Sequence, residues 1–210
     1  MNVTALVAHP DDELMCAGTL ARMVAEGHRV RLVVGFFSDF GPDGVKQGLV
    51  EERTSELELS AKILGVDLEA VLEADEASFV WSQPWVQRFE RIVGEFPPDL
   101  LISHRPADPN SSHGHLGRVA RTLARKNRMD LWELDQAVPG GLEPDAPGPN
   151  HLVNISDFVE WKREAVGAYQ SQLARYPGMG EAIEARDRLY GWMMGVSHAE
   201  AFRVVKSVMP

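Results

Sequence analysis

The feature that most restricts how this chain can fold is the sequence His-Pro-Asp-Asp-Glu at residues 9–13. It follows the continuous apolar run at residues 3–8, which is typical of a strand buried on both faces of a parallel sheet. Helical spacing begins after it, at residues 14–25, and stops at Gly27. Ligands of open α/β sheets bind beyond the carboxyl ends of the strands, so this turn is the expected place for a site.

The side chains of this turn suit a metal ion. His9 offers an imidazole nitrogen and the acids after it offer carboxylate oxygens. A catalytic zinc takes three such protein ligands and keeps a position for water. If His9 and Asp12 hold the metal, Asp11 is left beside it as a general base. The alternative is an ordinary acidic first turn of a helix, with His9 packed at the end of the strand.

A second concentration of polar side chains lies at residues 104–115, directly after the apolar run at residues 100–103. Three of the seven histidines of the chain fall here: His104, His113 and His115. Because the segment contains two prolines and a glycine, we expect a loop without regular structure, and a helix only over residues 116–126. This loop offers candidates for the third ligand that a zinc site requires. A polar loop with incidental histidines is the alternative.

Strand and helix patterns alternate along the rest of the chain. Further strands are predicted at residues 30–37, 68–72, 130–134 and 151–155, and helices at residues 49–64, 85–96, 156–173 and 181–194. Ser156 is expected to cap the third of these helices. Residues 38–48 are expected to form a loop that could help to wall the site, and residues 136–149 a lid or a crossing loop. Residues 199–208 are ambiguous between helix and strand. We therefore predict one domain, residues 1–210, with a Rossmann-like three-layer α/β fold and a mostly parallel sheet.

Composition narrows the expected partners and compartment. The formal net charge of −10 argues against binding to nucleic acid or to an anionic membrane, since both need a basic face. A single cysteine, Cys16, excludes an internal disulfide and fits a reducing compartment. The N-terminus lacks the features of a signal peptide, and no apolar run approaches membrane-spanning length. We expect a cytoplasmic protein; association into a homo-oligomer is left open.

With these segments in place, the sequence resembles the PIG-L/LmbE family of zinc-dependent N-deacetylases. Residues 6–14 and 16–21 are similar to the first motif of that family almost letter for letter. Weaker similarities follow in the family's order: Arg53 with Glu56, Asp108-x-Asn110-x-x-His113, Pro149-Asn150, Val153-Asn154-Ile155-Ser156, Tyr169-x-Ser171-Gln172, Gly195-Val196 and Ala199-Glu200-Ala201-Phe202. The resemblance covers nearly the whole chain and implies an LmbE-like fold.

The resemblance also implies a site and a reaction. His9, Asp12 and the loop histidine His113 would bind Zn²⁺, with another divalent metal such as Fe²⁺ as an alternative, and Asp11 would be the general base. Polarised water would attack the amide carbonyl of an N-acetylglucosamine-type sugar or a glycosylated metabolite, releasing acetate and an amine. Three further residues are candidates for contacts with sugar hydroxyls, although each could instead belong to a surface ion pair: Arg53, Asp75 and Asp108.

The chain departs from the family pattern near the third ligand. Ser112 stands where the family usually has Asp, and Asn110 where many members have His. His115 could take over as ligand or as acid. Asn154 and His198 also replace the usual Asp and Tyr. The alternative hypothesis is therefore a metal-binding protein of the same fold without deacetylase activity, acting as a binding subunit. A nucleotide-binding Rossmann domain is disfavoured because the first turn carries acids instead of glycines.

Overall fold

The computed structural model describes residues 1–37, 40–41, 44–45, 49–73, 76–136 and 148–208. Most of the predicted loop at 38–48, most of the predicted lid at 136–149, and Asp75 lie outside these residues. The strands are β1 (Asn2–Val7), β2 (Arg29–Phe36), β3 (Phe40–Gly41), β4 (Gly44–Val45), β5 (Asp67–Glu73), β6 (Leu100–Ser103), β7 (Asp130–Leu134), β8 (His151–Asn154) and β9 (Ala199–Lys206). The helices are α1 (Ala17–Ala25), α2 (Leu49–Leu64), α3 (Gln83–Glu95), α4 (Ser111–Lys126), α5 (Val159–Ala168), α6 (Gln170–Arg175) and α7 (Met179–Met194).

The main sheet has the strand order β5-β2-β1-β6-β7-β9-β8. The first five of these strands pair in parallel, and β9 runs antiparallel to both β7 and β8. The predicted mostly parallel sheet is confirmed, and the ambiguous tail is a strand. Because β1 has β2 on one side and β6 on the other, the chain order reverses beside β1. A crevice therefore opens at its carboxyl end, directly before His9.

Helices cover both faces of this sheet and give the predicted three layers. Val3, Ala5 and Val7 of β1 pack in one apolar cluster with residues of α1, α2, α5 and α7. Leu6 and Ala8 point the opposite way and pack with α3 and α4. Burial on both faces explains why the sequence of β1 is mostly apolar. None of the described helices combines the length and the apolar composition needed to cross a membrane.

The prediction of a loop over residues 104–115 is wrong for its second half. Helix α4 begins at Ser111, with Asn110 as its N-cap. The side-chain oxygen of Asn110 accepts hydrogen bonds from the backbone N–H of Ser112 at 3.0 Å and of His113 at 3.5 Å. Both prolines lie before this cap, where they do not interrupt the helix. His113 and His115 are therefore two positions apart on a helix and point in different directions.

The single helix predicted over residues 156–173 is two helices instead. Tyr169, with φ −91° and ψ 62°, separates α5 from α6. Ser156 does not cap α5: its hydroxyl donates to the side-chain oxygen of Asn154 at 2.7 Å, and a 3₁₀ turn over Ser156–Phe158 precedes the helix. The break at Tyr169 places its phenol in the protein interior, where it reaches the turn after β1.

Candidate active site

Buried carboxylates hold the turn after β1. Asp11 has a φ of +90°, in the left-handed region that non-glycine residues rarely adopt. A 3₁₀ turn over Asp12–Met15 follows it. Asp12 Oδ2 accepts a hydrogen bond from the backbone N–H of His9 at 2.8 Å, and Glu13 Oε2 accepts one from that of Asp11 at 3.1 Å. The motif therefore stabilises its own unusual backbone.

Glu13 ties this turn to distant parts of the chain. It is fully buried, and its Oε1 accepts hydrogen bonds from the hydroxyl of Ser60 in α2 at 2.7 Å and from the phenol of Tyr169 at 2.5 Å. Burial raises the pKa of Glu13 above its usual value, and these hydrogen bonds offset only part of that rise. Since its oxygens are taken by these donors, Glu13 is an anchor of the motif.

Three buried side chains converge beside the turn. His9 Nδ1 lies 3.1 Å from His113 Nε2, and Asp12 Oδ2 lies 3.4 Å from the first atom and 3.3 Å from the second. In a tetrahedral zinc site with bonds of about 2.0–2.1 Å, neighbouring ligand atoms are roughly 3.3 Å apart. The three atoms, called the donor triangle below, thus have the size of one face of such a site. These three residues are a group that could hold a metal ion.

The outer nitrogens of both imidazoles face carboxylates. His9 Nε2 lies 2.6 Å from Glu76 Oε1, and His113 Nδ1 lies 3.2 Å from Asp108 Oδ1. A carboxylate accepts hydrogen bonds and does not donate them, so Glu76 places the proton of a neutral His9 ring on Nε2, and the charge of Asp108 favours the corresponding tautomer of His113. The inner atoms then point lone pairs at one another. Such an arrangement is favourable only with positive charge between them, which fits a metal cation.

The pKa values of the two rings agree with this view. Burial alone would lower the pKa of His9, but the nearby carboxylates of Asp12 and Glu76 raise it to about 9. Burial opposes protonation of His113 as well, yet Asp12 and Asp108 raise its pKa to about 10. The surroundings therefore favour a positive charge at the donor triangle.

His104 packs against the donor triangle but does not contribute a ligand atom to it. Its ring stacks on that of His113, with centroids 4.1 Å apart. Its Nε2 accepts the backbone N–H of Ala8 at 2.9 Å, so Nδ1 carries the proton and donates to Gln136 Oε1 at 2.8 Å. Gln136 Nε2 in turn donates to Asp12 Oδ1 at 2.8 Å. Although His104 lies close to Asp108 and His113 in a second candidate ligand set, its lone pair is already used.

Asp11 lies beside the triangle, next to a buried cation. Arg53 of α2 is 4% exposed, and its Nη2 donates to the backbone oxygen of Pro10 at 2.6 Å and to Asp11 Oδ1 at 3.2 Å. Burial and the charge of Asp12 raise the pKa of Asp11, Arg53 lowers it, and the outcome is a pKa of about 7. The carboxylate of Asp11 therefore lies beside the donor triangle with its pKa raised by burial and by Asp12 and held down by Arg53.

These groups open into a cavity of about 660 Å³. The donor triangle, Asp11, Arg53 and Asn110 form one part of its wall. Another part comes from residues near the carboxyl end of the chain, between Gln172 of α6 and Ile183 of α7. The cavity is large enough for a sugar-sized ligand.

Not every predicted site residue reaches this cavity. Asp108 lies behind His113, and its carboxylate, only 5% exposed, also accepts the backbone N–H of Asn110 at 2.9 Å. His115 points away from the triangle, and its ring makes an edge contact with Phe79 at 5.9 Å. Asp75 lies outside the described residues. The structure thus brings together His9, Asp12, His113, Asp11 and Arg53.

Two supporting residues, Glu76 and Gln136, had no predicted role, and His104 was a candidate ligand that instead packs behind His113. Each follows the carboxyl end of a strand: Glu76 follows β5, His104 follows β6 and Gln136 follows β7. That position was the available signal, since polar side chains at these ends meet on one edge of a parallel sheet.

Comparison with known proteins identifies the family. Residues 4–124, more than half of the chain, match the PIG-L family, described as GlcNAc-PI de-N-acetylase. The chain therefore belongs to the PIG-L family, as its first motif indicated. The deacetylases of this family are metal-dependent.

Individual relatives agree with this assignment. The chain is 28% identical to the diacetylchitobiose deacetylase of Thermococcus kodakarensis, with 98% of this chain and 84% of that protein covered. It is 26% identical to a probable N-acetyl-alpha-D-glucosaminyl L-malate deacetylase 2 of Bacillus cereus, covering 81% and 83%. The crystal structure of the conserved protein TT1542 from Thermus thermophilus superimposes with a TM-score of 0.81 at 26% identity, covering 99% and 96%. The predictions of an LmbE-like fold and of an N-deacetylase are confirmed.

Proposed function

We propose that this protein is a zinc-dependent hydrolase that removes an acetyl group from the nitrogen of an amino sugar or a glycosylated metabolite. The observation that carries the proposal is the donor triangle beside Asp11 at the wall of a sugar-sized cavity. Two imidazole nitrogens and one carboxylate oxygen are a donor set typical of catalytic zinc, which leaves a position open. Fe²⁺ accepts similar donors and is the alternative metal.

His9 Nδ1, Asp12 Oδ2 and His113 Nε2 would hold the metal. When bound, a divalent metal supplies a Lewis acid that polarises a carbonyl group and lowers the pKa of water. Asp108 lies at the outer nitrogen of His113, so we propose that it orients that ring and does not touch the sugar.

The other steps belong to residues of the cavity. Asp11 removes a proton from the attacking water and then delivers it to the nitrogen of the leaving amine. Arg53 holds the carboxylate of Asp11 through Oδ1 and, since it lines the cavity, remains the candidate for contact with a sugar hydroxyl. Asn110 uses its side-chain oxygen to cap α4, so its NH₂ group is the part that can donate to the carbonyl oxygen of the substrate.

An amino-sugar substrate is proposed because the named relatives are deacetylases of a chitobiose and of a glucosaminyl malate. Both carry the acetamide on a sugar, and the cavity is large enough for a sugar with a substituent. We also propose that residues 1–210 act as one domain. The cavity wall supports this because it combines the turn after β1 with residues of α6 and α7.

The test is acetate release by the zinc-loaded protein from N-acetylglucosamine, N,N′-diacetylchitobiose and an N-acetylglucosamine glycoside. Asp11→Asn keeps the size of the side chain and removes its basicity, so turnover should fall by about 10²- to 10⁴-fold while zinc stays bound. Asp157→Asn, an exposed position before α5, is the matched control and should leave turnover unchanged. Zinc binding without acetate from any of the three sugars would favour the binding-subunit alternative. Failure to bind zinc or Fe²⁺ would refute the proposal.

A further inference from the structure

One carboxylate next to the donor triangle has no part in the mechanism above. Glu76 Oε1 lies 2.6 Å from His9 Nε2, and the same oxygen accepts a hydrogen bond from the hydroxyl of Ser112. The side chain of Glu76 is 14% exposed and lines the cavity. A single oxygen therefore connects the histidine after β1 with the first turn of α4.

Packing fixes the position of Glu76. It begins the 3₁₀ turn over Glu76–Ser78, and its backbone oxygen accepts the N–H of Phe79 at 2.9 Å. Phe79 is 4% exposed and packs on Phe36 and Trp85, with ring centroids at 4.5 and 5.0 Å. These aromatic contacts fix the chain three residues after Glu76, and this packing helps to hold the carboxylate of Glu76 beside His9.

We propose that Glu76 is a positioning residue of the metal site: it fixes the ring orientation and the tautomer of His9, and Ser112 holds it in place. This inference rests on the proposed function, because it takes His9 as a metal ligand. A carboxylate accepts but does not donate, so Glu76 keeps the proton of His9 on Nε2 and leaves the lone pair of Nδ1 facing Asp12 and His113.

Ser112 links Glu76 to the second proposed ligand histidine, His113. It precedes His113 in α4, and its hydroxyl donates to the oxygen that faces His9. The orientations of the two ligand histidines are therefore coupled through one oxygen of Glu76. Loss of Glu76 removes the support of His9 directly, whereas loss of the Ser112 hydroxyl acts only by releasing Glu76.

The first measurement is zinc affinity, by competition with a chromophoric chelator. Glu76→Ala should weaken zinc binding by about 10- to 100-fold, the usual effect of removing a group that orients a metal ligand. Glu76→Gln should weaken it less, because the amide oxygen still accepts from His9 Nε2 without a charge. Glu58→Gln, on the exposed face of α2, removes the same charge away from the site and should leave affinity unchanged. The metal-free variants should unfold at nearly the temperature of the parent protein.

The second measurement separates positioning from general support of the fold. Ser112→Ala should weaken zinc binding a few-fold alone, and add nothing in the Glu76→Ala background, because it acts through Glu76. In the Co²⁺-loaded protein, Glu76→Ala should shift the visible absorption bands, since the imidazole of His9 turns. A residue that only supports the fold would leave those bands in place.

The outcomes are distinguishable. If the parent protein binds zinc and Glu76→Ala binds it within about twofold, with unchanged Co²⁺ bands, the role of Glu76 is refuted and the proposed function stands. If Ser112→Ala weakens zinc binding equally in both backgrounds, Ser112 does not act through Glu76 and the inference is overturned. If the parent protein binds neither metal, both proposals fail.

Discussion

Replacing Gly117 by Ala is expected to disturb both the fold and the proposed metal site. Gly117 lies in α4, one turn after His113. A Cβ atom at this position would lie 2.6 Å from the backbone carbon of Arg105, and 2.7 Å from His104 O and Pro106 N. Ordinary contacts of a Cβ atom begin at 3.4 Å. The helix and the segment after β6 would therefore have to separate by about 0.8 Å, because neither backbone can rotate out of the way.

The magnitude follows from two opposing effects. Alanine gains about 1 kcal/mol over glycine from its higher helix propensity. Overpacking of a rigid contact costs about 1–3 kcal/mol, and the backbone contacts here place it at the upper end. We expect a net loss of about 1–2 kcal/mol in the free energy of unfolding, which lowers Tm by roughly 2–8 °C for a chain of this size. Because His113 moves with α4, zinc affinity should also fall by about tenfold.

The assay is thermal unfolding of the metal-free protein together with zinc titration. Gly94→Ala in α3 is the matched control, since its Cβ would have no heavy atom within 4 Å. That variant should be as stable as the parent protein or more so, by up to about 1 kcal/mol. If Gly117→Ala is as stable as Gly94→Ala and binds zinc as tightly as the parent protein, α4 does not approach the segment after β6 as the structure shows.

Three further predictions concern the partners of carboxylate side chains. Lys162→Met removes the nitrogen that lies 2.6 Å from the buried carboxylate of Asp187 and 2.7 Å from that of Glu200. Although Arg186 still lies 3.4 Å from Asp187, the change should cost about 3–5 kcal/mol in urea unfolding. Tyr169→Phe removes one donor to the buried carboxylate of Glu13 and should cost about 1–3 kcal/mol, measured by the same method. The pKa of Glu184 is lowered to about 2, and the largest cause is its hydrogen bond with Arg163. The stability it contributes is therefore present above pH 4.5 and lost as the pH falls towards 2, so Glu184→Gln and the parent protein should differ in Tm at pH 6 and converge at pH 2.

The order of the elements could be predicted because burial leaves a strong pattern. Strand β1 is covered on both faces and is an almost continuous apolar run, and in α3 the buried residues Val86, Phe89 and Val93 recur at helical spacing. The start of α4 was missed because the cap signal of Asn110 is short and lies between proline and glycine. The break at Tyr169 was missed because it depends on a distant partner, Glu13.

The candidate site could be predicted only in part, because some of its residues are close in the sequence and others are distant. His9, Asp11 and Asp12 are adjacent in the chain, so local sequence is enough to group them. Glu76 and Gln136 follow two different strands, β5 and β7, and only the folded sheet brings their side chains to His9 and Asp12. Strand order and loop path decide such contacts, and neither is encoded in a local pattern.

The unusual residues near His113, the proposed third ligand, have defined contacts in this arrangement. Ser112 donates its hydroxyl to Glu76, and the same oxygen of Glu76 faces the outer nitrogen of His9. Asn110 caps α4 with its oxygen and keeps its NH₂ group for the cavity. The amide of Asn110 can stabilise a developing charge on the carbonyl oxygen by a hydrogen bond, but it is not acidic enough to protonate the leaving amine. In the proposed mechanism the proton that reaches the leaving amine must therefore be the one that Asp11 took from water, and one carboxylate serves as both base and acid.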